Sequence, residues 1–421
     1  MNPKRIFIGF SEVAGYYTNL TKGFETLGVE YLFITFGQHK FRYGNTEATV
    51  AQKVIHYLIH KYTATSKRNP LWIIWFILYG MSRVSLFLWV LLRYDVFIFS
   101  YNASFFGFYD LPLLKFFRKK IIYVYHGSDN RPPYLNGSYI HSGYPLEQIF
   151  TLTKKLYEKN KKVEKYADHI ITAPCISQFF NRELIQYLAI GAPVDLSYIQ
   201  DINHTKGTRI KIVHAPSGRK QKGSDDFAQI IKELINEGYP IDYEELFNVP
   251  NRVVLEKLSA CDFVLDELYS DTTLAGLGTE AAYFGKPTIV GGYYHDMAKD
   301  LKETPLPPSL YVDPAEIKQA IVKLIEDVAY RNELGEQAKK YVDTYWSPKE
   351  VASRYLRLFY DDVPEEWLYH PKEVDYFYGW AVSKDDLQKF LKEYIATFGK
   401  AGLFLPHNPQ LENKILDFIK D

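Results

Sequence analysis

Four stretches of this 421-residue chain place reactive or ligand-gripping side chains directly after short apolar runs. In "HAPSGRKQKGSDDFAQIIKEL", Ser217, Gly218, Arg219 and Lys222 follow a strand-like run and precede a helix expected from about Ser224. Arginine can hold two oxygens at once, lysine is a compact cation, and a helix start is partially positive. The combination suits a diphosphate, although basic loops of this kind are also common on plain surfaces. "YVYHGSDNRPPYLNG" delivers His126, Asp129 and Arg131 into a loop stiffened by paired prolines. Such a set could bind sugar hydroxyls or stabilise developing charge. The competing reading is a turn whose Ser128 and Asp129 satisfy backbone groups.

The third stretch, "LDELYSDTTLAGLGTEAAYFGKP", holds Asp271, Thr272, Thr273, Gly276, Leu277 and Gly278 ahead of a lone carboxylate, Glu280. Glu280 either caps and solvates its helix or grips a ligand. The fourth, "GFSEVAGYYTNL", sets Ser11, Glu12 and Gly15 at the end of the first apolar run.

Other chemistries lack their signatures. No phosphate-binding loop ends in Gly-Lys-Ser/Thr, and the first strand is not followed by a dinucleotide glycine fingerprint. No His/Cys set has metal-ligand spacing, no Asp-x-Asp is present in the acidic stretches "GSDDF" and "LDEL", and no Gly-x-Ser-x-Gly elbow occurs. The expectation is a site with neither metal nor cofactor.

Positioning these loops requires strands that end at a common edge. "RIFIGF", "VEYLFITF", "YDVFIFSY", "KIIYVYH" and "DHIITA" form one series, and "RIKIVHAPS", "PIDYEEL", "CDFVLDEL", "PTIVGG" and "SLYV" a second. Separations long enough for crossover helices predict parallel α/β sheets. The aperiodic "GAPVDLSYIQDINHTKGTR" reads as the interdomain linker. The expected layout is a Rossmann-like domain over 1–200, a second over 201–345 and a helical C-terminal extension over 346–421 that packs back on the first.

Composition is globular, with 47% hydrophobic and 24% charged residues. Zero formal net charge argues against nucleic acid as a partner. Two cysteines, Cys175 and Cys261, read as small buried residues of a reducing compartment, and the amino-terminal residues enter a strand without a signal-like core. A cytoplasmic protein is expected, with peripheral attachment to the inner membrane face as a variant. That variant rests on "LWIIWFILYGMSRVSLFLWVLL" (Leu71 to Leu92), which has Arg83 at its middle and suits an interfacial helix, a buried crossover or, less well, a span. The six lysines between Lys154 and Tyr166 read as a solvated helix face, or more sharply as an attraction to anionic lipid.

In order and separation, "HGSDNR", "PVDL", "HAPSGRKQKG" and "CDFVLDEL…GLGTEAAYFGKPTIVGG" resemble the GT-B glycosyltransferases, in particular the retaining family four enzymes of surface polysaccharide synthesis. The resemblance spans roughly residues 4 to 345. It implies that the first domain binds a glycan or lipid-linked acceptor, through Ser11, Glu12 and Arg131, and the second a nucleotide-sugar donor. Arg219 and Lys222 would hold the donor diphosphate, Glu280 the ribose, and His126 with Asp129 would lie near the donor sugar. Gly15, Ser217, Gly218, Asp271, Thr272, Thr273, Gly276, Leu277 and Gly278 would line the donor. One position departs from the family: a glutamate is usual eight residues before Glu280, where this chain has Thr272, and Asp271 and Glu267 lie nearby off register. A non-catalytic binding subunit, or less well a nucleotide-sugar epimerase, remains the alternative.

Overall fold

The computed structural model describes residues 4–36, 50–101, 103–199, 207–301 and 305–420. The first sheet holds β1 (Ile6–Phe10), β2 (Tyr31–Thr35), β3 (Val96–Ser100), β4 (Lys120–Val124), β5 (His169–Thr172) and β6 (Leu184–Gln186). The second holds β7 (Ile210–His214), β8 (Ile241–Glu245), β9 (Phe263–Leu265), β10 (Thr288–Gly291) and β11 (Leu310–Val312). All ten predicted runs form strands, and neighbours within these sets run parallel. β1, β3 and β9 are buried along their whole length, as strands covered on both faces must be. A late two-residue strand, β12 (Leu368–Tyr369), adds antiparallel to β6. Neither β6 nor β12 was expected, because two or three residues carry too little alternation to read.

The strand orders are β12-β6-β5-β4-β3-β1-β2 and β11-β10-β9-β7-β8. In each sheet the first strand in sequence lies between its two successors, so a crevice opens at its carboxyl end, where ligands of open α/β sheets bind. Two such sheets, with their carboxyl ends sharing one cleft, make the GT-B architecture.

One face of the first sheet is covered by the end of helix Leu71–Arg93 and by Phe105, Phe108 and Leu111. On the other face lie helix Tyr16–Thr26 and helix Pro348–Phe359. Helix Pro348–Phe359 follows the second sheet in sequence yet packs on the first. The chain after it buries Leu387, Leu391, Leu403 and Ile415 completely against Tyr134 and Ile149. At roughly 1.5–3 kcal/mol per buried aliphatic side chain, this segment is an integral part of the first domain's core. Of the linker stretch, residues 200–206 lie outside the described residues, as does the expected domain boundary.

Helix Leu71–Arg93 is a crossover only at its end. Leu86, Phe87, Val90 and Leu91 are buried on the sheet, while Ile74, Ile77, Met81, Leu88 and Leu92 are exposed. Arg83 turns inward, its guanidinium packed among Phe36, Tyr79 and Phe106. Helix Leu146–Tyr166 buries Ile149, Thr153, Leu156, Asn160 and Val163, which leaves its lysines on the outer face.

Candidate functional site

Between the sheets lies a cavity of about 920 Å³, walled by loops from the carboxyl ends of both. That size accommodates a drug-sized or nucleotide-sized ligand.

The loop after β4 is held from below. Asp129 Oδ1 accepts the backbone N–H groups of His126 and Gly127, and the Arg131 N–H reaches the Gly127 carbonyl. Asn130 donates to the Ile176 carbonyl and accepts from Asn160, which in turn accepts from Tyr125. His126, Ser128 and Arg131 are thereby presented to the cavity, with Arg131 Nη1 donating to Ser128 Oγ at 3.1 Å. His126 Nε2 lies 2.9 Å from the Tyr17 hydroxyl, and burial pushes its pKa down to about 3. At neutral pH this ring is a neutral hydrogen-bonding group with no positive charge.

Arg131 makes a two-pronged contact with Asp271 across the cleft, 2.6 Å from Nε to Oδ2 and 2.6 Å from Nη2 to Oδ1. Both residues are almost fully buried. Burial raises the Asp271 pKa, and the Arg131 charge works to lower it. Lys222 is similarly enclosed, bound by Glu267 Oε1 and, at 3.1 Å, by Asp266 Oδ1. Burial disfavours the Lys222 ammonium, but Asp266 and Glu267 outweigh it and leave its pKa raised.

The lone carboxylate Glu280 sits in the first turns of helix Gly276–Tyr283 and accepts from Asn251 Nδ2 at 2.9 Å. Burial pushes its pKa up to about 8, with Asp266 adding to the rise and the Asn251 bond opposing it. The helix start is reached closely by the first domain: a Cβ on Gly276 would lie 3.4 Å from that of Ala14.

Of the expected residues, Gly15, His126, Arg131, Ser217, Lys222, Asp271, Thr272, Gly276 and Glu280 line this one cavity. Several others do not. Arg219 is turned away from the wall, bound to Glu245 and, at 2.6 Å, to Asp225. Helix Ser224–Asn236 carries Asp225 and Asp226 in its first turn, which offset its positive end. Glu12 is spent on helix Tyr16–Thr26, accepting from the N–H groups of Val13, Tyr17 and Thr18 and from the Thr18 hydroxyl. Ser11 beside it lies off the wall. Asp129 organises its loop from behind. Gly218, Thr273, Leu277 and Gly278 do not line the cavity, Thr273 and Gly278 being buried and Gly218 and Leu277 half-buried.

Sequence reasoning passed over Tyr17, Tyr198, Asn251, Arg252 and Trp380. Asn251 opens helix Asn251–Ala260, where an asparagine ordinarily reads as a cap. Trp380 comes from the C-terminal extension, and nothing local marks it. Among the described residues, no three His, Cys, Asp or Glu side chains converge as a metal-ligating group. Both cysteines are free and buried.

No protein-family model matches the sequence, and no curated protein matches it. Solved structures of similar shape include the sucrose-phosphate synthase of Thermosynechococcus elongatus. It is 15% identical with a TM-score of 0.49, over 85% of this chain and 98% of that one. Anabaena HepE in complex with UDP-glucose is 12% identical with a TM-score of 0.46, over 85% and 99%. A Listeria monocytogenes protein described as a putative UDP-N-acetylglucosamine 2-epimerase is 10% identical with a TM-score of 0.42, over 86% and 98%.

Proposed function

We propose that this protein is a glycosyltransferase that moves a sugar from a nucleoside-diphosphate donor to a glycan or lipid-linked acceptor, with retention and without metal. The observation that carries the reading is the convergence, in one interdomain cavity, of Glu280 from the second sheet with His126 and Arg131 from the first. The sequence motifs that resemble the retaining GT-B enzymes supply these same residues. Glu280 and Asn251 offer a hydrogen-bonding pair for a ribose diol. Ser217, Lys222 and the start of helix Gly276–Tyr283 face the space a diphosphate would take.

In the transfer, the bond from the anomeric carbon to the phosphate oxygen breaks and a bond to an acceptor hydroxyl oxygen forms on the same face. The acceptor proton passes to the departing phosphate oxygen, so no strong protein base is needed. Lys222 would stabilise the growing phosphate charge, and Arg219 could add to it only by leaving Glu245 and Asp225. Neutral His126 could donate or accept a hydrogen bond at the sugar without adding charge.

A second reading, a nucleotide- or glycan-binding subunit without turnover, is favoured by one observation: the buried cations of the cavity wall, Arg131 and Lys222, are already neutralised by carboxylates. A thermal-shift and turnover panel of UDP-, GDP-, ADP- and CMP-sugars separates the two. Stabilisation with turnover supports the transferase, and stabilisation without turnover over a range of acceptors supports the binding subunit. Stabilisation by no nucleotide overturns both.

The exposed apolar side of helix Leu71–Arg93 supports a peripheral position on the cytoplasmic membrane face, as a lipid-borne acceptor of surface polysaccharide assembly would require. With Arg83 turned inward, the outer side from Ile74 to Leu92 carries no charge, and Lys67, Arg68 and Arg93 flank it. Apolar surface flanked by cations fits an anionic bilayer.

A further inference from the structure

We infer that the C-terminal extension forms part of the ligand pocket, supplying Trp380 as the positioning residue that aims Glu267 at the sugar of the donor. The inference rests on the donor-binding reading above. It starts from how tightly the segment around residue 380 is threaded between the domains. Trp380 N–H reaches the Leu135 carbonyl at 3.2 Å, and the Trp380 carbonyl accepts from Gly137 at 2.8 Å, both in the first domain. One residue later, Ala381 N–H reaches the Tyr269 carbonyl of the second domain at 2.8 Å. A Cβ at Gly137 would lie 2.2 Å from the Ala381 carbonyl oxygen. Gly379 has φ of +80°, and a Cβ there would lie 2.3 Å from the Leu135 carbonyl oxygen. Backbone contact this close on both sides leaves the indole little choice of position.

That position joins the two buried ion pairs. The indole Nε1–H donates to Glu267 Oε2 at 2.7 Å, while Glu267 Oε1 holds Lys222. The Arg131 guanidinium stands 5.1 Å from the indole centroid. Trp380, Glu267, Lys222, Arg131 and Asp271 all line the cavity. Each carboxylate accepts one bond at each oxygen, but both of those on Asp271 come from the charge-assisted fork of Arg131, whereas Glu267 Oε2 takes its bond from a neutral N–H. Glu267 Oε2 is therefore the less strongly engaged oxygen, with lone-pair capacity left for a sugar hydroxyl, and Trp380 sets the direction of its carboxylate. Among the described residues the extension makes no hydrogen bond to Glu280 or Asn251, which pair with each other, so its influence belongs to the sugar and not to the nucleoside.

The test uses the full-length protein, with Trp380→Phe, Glu267→Gln and the double variant. Calorimetric titration compares UDP, GDP and ADP with their glucose conjugates. Phenylalanine keeps an aromatic ring beside Arg131 and removes the N–H together with part of the indole's volume. The expected result is that the sugar's contribution to affinity falls roughly tenfold in Trp380→Phe, the scale of one lost hydrogen bond to a charged group. Affinity for the bare nucleotide should change far less, and Glu267→Gln in the Trp380→Phe background should cost little more. Equal loss for nucleotide and nucleotide-sugar, or additive effects in the double variant, would overturn the inference while leaving the donor reading intact. Absence of any nucleotide binding by the wild type would overturn both. Should Trp380→Phe fold poorly, wild-type tryptophan fluorescence serves instead. A nucleotide-sugar should perturb it beyond the bare nucleotide, and identical responses would count against the inference.

Discussion

Arg131 and Asp271 belong to different domains, yet they form one buried fork with two 2.6 Å contacts across the cleft. Breaking one side of such a pair leaves the other charge buried and unmatched, at a cost of about 3–5 kcal/mol. Arg131→Met and Asp271→Leu should each lower stability by that order in urea unfolding, and the double variant should lose much less than the sum. Additive losses would show that the pair does not couple the domains energetically.

On the donor-binding reading proposed above, Arg219 is a cation held in reserve. Glu245 and Asp225 draw it away from the cavity wall, so neutralising them should release it toward a diphosphate. Glu245→Gln with Asp225→Asn is expected to tighten nucleoside-diphosphate binding several-fold, and Arg219→Ala to weaken it, both by calorimetric titration. If the two changes leave affinity where it was, Arg219 has no part in binding.

Glu280 gives a pH signature with a definite sign. Its folded pKa of about 8 lies above the ordinary value of 4.5. Between those values the folded state retains a proton that the unfolded state releases, so stability falls as pH rises through the window. The loss is on the order of several kcal/mol at the upper end. Glu280→Gln removes this slope. It should raise the melting temperature more at pH 8 than at pH 5, while weakening discrimination between ribo- and 2′-deoxyribonucleotides. An equal shift at both pH values would contradict the burial argument.

The outer side of helix Leu71–Arg93 makes the membrane reading testable without disturbing the core. Ile77, Met81 and Leu88 are 51%, 61% and 51% exposed, so serine at all three should leave the melting temperature nearly unchanged. Flotation with phosphatidylglycerol-containing vesicles should be lost. Undiminished flotation would remove this helix as the contact.

Much of the site was legible because it is local. Strands announce themselves as short apolar runs, and the loops that follow them must emerge at one edge of a parallel sheet. Residues directly after strands, such as His126, Ser217 and Glu267, were therefore placeable from neighbours alone. The β12 pairing was not, because two residues carry no period and their partner, β6, lies over 180 positions earlier.

What the sequence by itself determined is which loops reach the cleft edge: apolar periodicity and chain direction suffice for that. Only the tertiary structure decided what their side chains do there. Arg219 faces Glu245 and Asp271 is committed to Arg131, because partners 26 and 140 positions away compete for the same charge, while Glu12 is taken by the nearby start of its own helix. Trp380 shows the limit most clearly. Its place beside Glu267 depends on an extension folding back between two domains, and no pattern around residue 380 encodes a contact 113 positions away.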